Sequence, residues 1–181
     1  MENTLFIKIE ELTASISNIA WFNKIGDKIN NNNKKYISNY IKYFDIKIKI
    51  HNVKNWNEAI KILNSNSWDK NFWQKEENER NNLYNSLKKT YPEKDLSQHL
   101  GKLTYESSKI IEKSNFKGLE KKDTNYDYYT RVAAGSAAIC CFQAALAMAS
   151  NHDNHFFISK FKLFELGYWP LVIEDNKFNI F

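Results

Sequence analysis

Residues 132–150 read VAAGSAAICCFQAALAMAS, and this stretch decides the fold. Its 19 residues carry no charge, and eight of them are alanine. The length would span a bilayer, but alanine, glycine, serine and glutamine gain little from entering lipid. We therefore predict a buried central helix, whose small side chains let neighbouring helices approach closely, and no membrane span.

The whole chain has 181 residues, which is the size of one domain. Hydrophobic residues make up 43% of it and charged residues 26%. This composition supplies a sizeable core and excludes a disordered chain, a collagen-like fibre and a disulfide scaffold. No linker rich in Gly, Pro or Ser divides the chain. We predict a single domain over residues 1–181.

Apolar side chains recur at helical spacing in six further segments. Asn55 and Glu58 have the spacing of a capping box, Ser67 can cap a longer helix, and either Asp123 or Thr124 can cap the central one. Gly167 supplies a left-handed stop. The predicted helices outside the central one cover residues 7–29, 36–44, 56–63, 67–89, 92–118 and 154–166.

Two segments have the period of strands instead. Ile46, Ile48 and Ile50 alternate with lysines, and residues 171–181 flank the turn-forming pair Asp175-Asn176. The apolar end of the hairpin should be pinned against the body of the protein. The predicted fold class is mainly α: a single-domain helical bundle of about six to seven helices around the central Ala-rich helix (132–150), with a small C-terminal β-hairpin at about 171–181. The hairpin and the segment near Ile48 would form a small sheet.

Arginine is scarce in a lysine-rich chain, with only Arg80 and Arg131 among 26 basic residues. Each follows an acid by four residues, Glu76 and Asp127, so each pair can bridge along one helix face. A surface pair of this kind contributes little. The sharper hypothesis is that both arginines meet acids of neighbouring helices at the mouth of a polar cleft, where a planar fork is needed.

Such a cleft would be the active site if the protein were an enzyme. Carboxylates that share a helix face can do acid or base chemistry, although a charge run on a helix is usually a solvated face. A lone histidine in an apolar helix is more often a partly buried, hydrogen-bonded side chain than a base. The side chains that would line the cleft are Glu76, Glu79, Arg80, His99 and Arg131.

Other motifs carry weaker signals. His152 and His155 flank Asp153, but zinc needs three or four ligands, and these residue types also suit a turn. Gly135-Ser136 lacks the strand and the second glycine of a nucleophile elbow. We predict no catalytic residue, no metal and no cofactor.

The positive charge is concentrated in residues 24–61, which hold nine lysines against three acids, a net charge of +6. Aromatic residues lie among these lysines, so the segment could track a nucleic acid or bind an acidic protein. Alternatively it is an amphipathic helix whose aromatic face lies in the core. The candidate contacts are Lys34, Lys35 and Lys42. Two arginines are too few for sequence-specific reading of DNA.

The composition also indicates a cellular compartment. Cys140 and Cys141 are adjacent on a helix and cannot staple the fold, and the first residues lack a signal-peptide pattern. Abundant Asn, Lys and Ile have A/T-rich codons. We predict a protein of the bacterial cytoplasm.

The leading functional hypothesis is a cytosolic, non-catalytic interaction protein, such as an immunity-type or regulatory partner that binds another macromolecule, in the first instance a protein. The five tryptophans and ten tyrosines exceed what one small core needs. Two alternatives stay open: a small helical enzyme with a polar pocket between helices, and non-specific nucleic-acid binding through residues 24–61.

Overall fold

The computed structural model describes residues 3–44 and 47–181, and the alanine-rich stretch lies in its longest helix. The described part of the chain holds seven α-helices and three strands, as the sequence predicts for a mainly helical fold with a C-terminal hairpin. In chain order the elements are α1 (Asn3–Ser15), α2 (Lys34–Lys42), β1 (Lys49–Asn52), α3 (Trp56–Leu63), α4 (Lys70–Lys88), α5 (Glu93–Glu112), α6 (Tyr126–Ala149), α7 (Phe156–Glu165), β2 (Pro170–Glu174) and β3 (Lys177–Ile180).

The prediction of a buried central helix is confirmed. All eight alanines of α6 within residues 132–150 are buried, and α1, α4, α5 and α7 pack against this helix. In the described residues α6 is the one helix long and apolar enough to cross a membrane, but 67% of its most apolar window is buried inside the fold. Such burial is typical of the core helix of a water-soluble protein.

The first helix is shorter than predicted. It ends at Ser15, and a single 3-10 turn, Ile16–Asn18, follows it. Beyond that turn the apolar side chains stay buried although the backbone is irregular: Phe22 takes a left-handed φ of 56°, and the Trp21 indole donates to the Ile16 carbonyl at 2.9 Å. Tertiary packing therefore overrides the helical period in this segment.

Side-chain caps fix where the middle helices begin. Asn55 accepts a hydrogen bond from the Glu58 amide at 3.0 Å, as the capping box predicts, while the Glu58 carboxylate reaches the amide of Lys54. The cap of α4 is Asp69 rather than Ser67, because Trp68 bridges to Glu174 and keeps the preceding chain extended.

The start of α6 also differs from the prediction. Its N-cap is Asn125, which makes no side-chain capping bond. Asp123, one of the two predicted caps, instead accepts a hydrogen bond from the amide of Glu120 at 2.7 Å.

The C-terminal sheet has the strand order β1-β3-β2. β2 and β3 form the predicted antiparallel hairpin, and Asp175 and Asn176 both take positive φ at its turn. β1 completes the sheet, as predicted for the segment near Ile48, and the structure adds that it pairs with β3 in parallel; Ile46 lies outside the described residues. Phe181 is 2% exposed and exchanges two main-chain hydrogen bonds with Trp169, which confirms that this end is pinned.

Gly167 ends α7 with φ +87°, and its carbonyl accepts a hydrogen bond from the Lys24 amide at 3.0 Å. A Cβ at this position would lie 3.0 Å from the Lys24 nitrogen and would overlap the Asn23 side chain. Glycine is therefore required both by the backbone conformation and by the close approach of the chain.

Two glycine substitutions should change stability in opposite directions. We expect Gly167→Ala to lower the free energy of unfolding by about 1 to 2 kcal/mol, because a non-glycine residue is strained at positive φ. Gly135 lies in the interior of helix α6, and a Cβ at this position would meet open space. We expect Gly135→Ala to raise the free energy of unfolding by about 0.5 to 1 kcal/mol. Urea denaturation of both variants tests this; equal effects would contradict it.

Candidate functional site

A buried cluster of charged side chains joins α2, α4 and α7. Glu76 is only 7% exposed, and its Oε1 lies 2.7 Å from the Lys160 Nζ. The Tyr40 hydroxyl donates to the same oxygen at 3.0 Å. The expectation that Glu76 belongs to a solvated face is therefore wrong. Its carboxylate points into the protein, where it pairs with the largely buried Lys160 of α7.

One helical turn further along α4, Glu79 makes a second set of contacts. The Tyr43 hydroxyl donates to its Oε2, and His155 Nε2 lies 3.1 Å from its Oε1. His155 is also the N-cap of α7, where its Nδ1 accepts a hydrogen bond from the Phe157 amide. An accepting Nδ1 carries no proton, so the neutral tautomer that donates from Nε2 satisfies both contacts.

Burial and charge shift the pKa values of this cluster. Burial alone would lower the pKa of Lys160, but the charge and hydrogen bond of Glu76, together with the charges of Cys140 and Glu77, raise this pKa above its ordinary value. Burial, together with the charge of Glu76, raises the pKa of Tyr40. Burial would raise the pKa of Glu79, yet the hydrogen bonds from His155 and Tyr43 hold it below its ordinary value. Burial, together with the charge of His152, lowers the pKa of His155 although Glu79 acts in the opposite direction.

These groups satisfy one another. Lys160 stays cationic beside an anionic Glu76, and the neutral His155 donates to the ionised Glu79. Each carboxylate is held by two donors from other helices, so the cluster fastens α2 and α7 to α4. Its hydrogen bonds are directed inward, which suits a structural tie better than contact with a ligand.

The two arginines do not form the predicted pairs. Arg80 meets Glu77 at 2.7 Å instead of Glu76, and Arg131 donates from Nε to the carbonyl of Asp127 instead of its carboxylate. Each arginine thus contacts a residue of its own helix, α4 for Arg80 and α6 for Arg131. The hypothesis that these arginines meet acids of neighbouring helices is therefore wrong for this structure, and any role in binding a partner stays a prediction.

His99 lies in a different part of the molecule. Its ring stacks on Phe6 of α1 with ring centroids 4.2 Å apart, and its Nδ1 is 3.9 Å from Glu10. The side chain is partly buried, as the simpler interpretation predicts. The polar cleft expected for an enzyme is not assembled, because its five residues are distributed over three separate places: Glu76 and Glu79 in the buried cluster with Arg80 beside it, His99 next to α1, and Arg131 on the outer face of α6.

The lysines of residues 24–61 are all exposed. Lys34, Lys35 and Lys42 lie on the outer side of α2, whereas Tyr40 and Phe44 are 1% exposed and face the core. This is the amphipathic arrangement that the helical spacing predicts. Within residues 3–44 and 47–181 none of the nine lysines forms an ion pair, so their charge stays available to a partner.

The His152 and His155 rings stack with centroids 6.2 Å apart. Among the described residues no group of three His, Cys, Asp or Glu side chains is arranged to hold a metal ion. Both cysteines are free and buried, and burial raises the pKa of the Cys141 thiol to about 12. A thiol of this kind is a poor nucleophile.

Several clefts open between the elements, and three of them matter for the site. One, of about 560 Å³, has Trp56, Tyr129 and Phe181 at its floor, and its polar groups pair with each other: Tyr129 donates to Asn57 at 2.7 Å. A second, of about 440 Å³, separates α4 from the end of α6. The third, of about 480 Å³, lies beside two tryptophans and is lined by Ser65, Asn66, Trp68, Lys70, Trp73 and Gln74.

The third cleft adjoins a stripe of side chains on the outer face of α4, which we call the α4 surface. Trp73, Glu77, Arg80 and Tyr84 follow one another at spacings of four, three and four, so they share one side of the helix. Trp73 is 49% exposed, while Tyr84 is partly buried against the core. Arg80 is among the residues predicted from the sequence and Trp73 is not, although the helical spacing already places Trp73 away from the core positions of α4.

The exposed aromatic residues do not form one flat patch. Trp73, Tyr43, Tyr105 and Tyr128 lie on or at the end of four different helices, and three of the five tryptophans are buried. The core therefore takes up more aromatic residues than the sequence analysis expected. The two tryptophans that are not buried, Trp68 and Trp73, line the same cleft.

The sequence matches no protein-family model, and neither a curated protein nor a solved structure is significantly similar to it.

Breaking the buried pair on one side should be costly. We expect Glu76→Gln to lower the free energy of unfolding by about 3 to 5 kcal/mol, because Lys160 is left buried without its counter-charge. Replacing both partners, as Glu76→Leu/Lys160→Met, should recover most of the loss. Lys162→Met, which removes the more exposed pair with Glu165, serves as the control and should cost about 0.5 kcal/mol or less. Chemical denaturation measures all three.

The His155 contacts predict a loss of stability in acid. Because the pKa of His155 is below 6.5 in the folded state, the unfolded chain binds the proton more readily, so stability should decline as the pH falls from about 6.5 towards the folded pKa. His155→Asn keeps an N-capping acceptor but does not titrate, and should flatten this part of the curve. His152→Asn keeps His155 and removes only one of the charges that lower its pKa, so it should flatten the curve less than His155→Asn does; melting temperatures between pH 7 and pH 5 decide.

Proposed function

We propose that this chain is a non-catalytic interaction protein that binds another protein through the α4 surface and the adjoining tryptophan cleft. The observation that carries the proposal is Trp73, a half-exposed tryptophan beside a cleft of about 480 Å³. Tryptophan, tyrosine and arginine are the residue types that dominate binding energy at protein interfaces. Here one helix face presents all three.

The arrangement of charge on this face supports the same reading. Arg80 is held against Glu77 at 2.7 Å, with Trp73 and Tyr84 on either side of the pair along the helix. The guanidinium is thus oriented before any partner arrives, which reduces the entropy lost on binding. Its remaining donors can meet a carboxylate or a carbonyl group across an interface.

The cytoplasm of a bacterium is the proposed location. Cys140 and Cys141 are free and buried, which agrees with a reducing compartment, and the A/T-rich codon usage implied by Asn, Lys and Ile agrees with a bacterial genome. An immunity-type or regulatory role would fit a protein of this kind. The partner would then be a toxin or a regulated protein of the same cell.

Photo-crosslinking from native lysate tests the proposal. A photoreactive amino acid at Gln74, an exposed residue of the tryptophan cleft, should capture a partner that mass spectrometry identifies. With that partner purified, we expect Trp73→Ala to raise the dissociation constant by about thirtyfold, which is the effect of losing an interface hot spot. Arg80→Lys, which keeps the charge but loses the planar fork, should also weaken binding.

The matched control is Tyr105→Ala, which removes an exposed aromatic side chain from α5 and should leave the affinity unchanged. Melting temperatures of all variants separate loss of contact from loss of fold. If the partner binds Trp73→Ala and Tyr105→Ala equally well, the α4 surface is not the interface.

A further inference from the structure

We propose that the outer edge of β1 is a second docking site, which takes an extended acidic segment of a partner protein as a fourth strand of the sheet. The inference rests on the proposed function only in taking a protein as the ligand. Its surface is formed by β1 and the lysines around it, and includes no residue of the α4 surface.

The register of the sheet determines which main-chain groups face outward. The Lys49 amide donates to Asn176 and the Val53 amide to Ile180, so the odd-numbered residues of this segment are turned towards β3. The N–H and C=O groups of Ile50 and Asn52 therefore point to the other side. Within the described residues these main-chain groups have no main-chain partner, and β1 is an edge strand. The Asn52 side chain accepts a hydrogen bond from the Ile29 amide at 3.3 Å, so Ile50 is the residue at which a docking strand would pair first.

The opposite edge of the sheet is already covered. The Asp69 amide donates to the carbonyl of Ile173 at 2.9 Å, and Trp68 bridges to Glu174 of β2. The Ser65 hydroxyl also holds the Glu174 carboxylate at 2.8 Å. The chain thus covers the β2 edge with its own α3–α4 connection, and β1 is left as the edge that can accept a strand.

Positive charge surrounds β1. Lys47 and Lys49 lie at its start and Lys54 follows its end, all three exposed. The two acids of this region that the structure describes are engaged: Glu58 accepts a hydrogen bond from the Lys54 amide at 2.9 Å, and Asp27 pairs with Lys117. These three lysines form no ion pair within the described residues, and the carboxylates of an acidic strand could pair with them.

The same observations favour a protein over a nucleic acid. Residues 24–61 contain no arginine, and Tyr40 and Phe44 are buried. The half-exposed Tyr43 already stacks on Phe156 and donates to Glu79, so this face offers little for bases to stack on. The β1 edge presents donors and acceptors in alternation. Another extended main chain can satisfy both, whereas a phosphate backbone supplies acceptors only.

Lysines on an edge strand also have a protective function, because they discourage pairing between copies of the same protein. That explanation predicts no affinity for an acidic strand. It predicts instead that removing the charge of Lys47 and Lys49 leads to self-association.

Fluorescence anisotropy with a labelled peptide of alternating Glu and Thr tests the proposal. We expect this peptide to bind at least about tenfold more tightly than the same peptide methylated at every main-chain nitrogen, which carries the same charge but has no main-chain N–H group to donate in either register. Added salt should weaken both complexes. An oligo(dT) strand of equal charge tests the nucleic-acid alternative and should bind more weakly than the Glu-Thr peptide.

Two variants locate the site. Ile50→Pro removes an outward N–H and leaves the bonds of Lys49 and Val53 to β3 intact, so it should reduce the preference for the unmethylated peptide over the methylated one. Lys47→Glu/Lys49→Glu should reduce binding of both peptides about tenfold or more. Lys34→Glu/Lys35→Glu, with the same change of net charge on α2, is the matched control and should reduce it far less.

Three results would overturn the proposal: equal binding of the two peptides, tighter binding of oligo(dT), or self-association of the uncharged variant Lys47→Gln/Lys49→Gln without loss of peptide affinity. If Ile50→Pro does not fold, the lysine variants and the peptide comparison still decide. A partner that crosslinks at Gln74 and depends on Trp73 would leave the proposed function standing even if the β1 edge binds no acidic strand.

Discussion

Close approach of neighbouring helices to the small side chains of α6 is the constraint on which the rest of the structure depends. Ala133, Ala137 and Ala144 are completely buried, so their methyl groups are in contact with other elements on all sides. Interiors packed to this density tolerate no added methylene without moving a helix. Because α1, α4, α5 and α7 all rest on α6, its uncharged surface fixes the distances between them.

The charged cluster provides a tie that apolar packing alone could not specify. Glu76 accepts from Tyr40 of α2 and pairs with Lys160 of α7, which sets the rotation of both helices relative to α4. Since these charges neutralise each other inside the protein, the lysines on the outside keep their net positive charge. A buried pair gains little net stability, but its directional contacts favour one arrangement over others.

The helices that the sequence predicts well are those whose own spacing and caps define them. α3 begins at Asn55 because its capping box is local, and the hairpin turns at Asp175-Asn176 because these residues tolerate positive φ. The first helix was predicted too long because Trp21 and Phe22 keep the helical period while packing from an irregular backbone. The spacing of apolar residues indicates which side chains are buried, but it does not determine the backbone conformation that buries them.

The sequence alone determined the fold class and the buried central helix, because these follow from local periodicity. It also determined the net charge of residues 24–61 and the scarcity of arginine, because these follow from composition. Only the tertiary structure decided that Glu76 is buried, that Arg80 pairs with Glu77 beside an exposed Trp73, and that β1 is an open edge while β2 is covered. The physical reason is that side-chain burial, ion pairing and edge exposure depend on residues distant in the chain, and no local pattern encodes which distant element arrives.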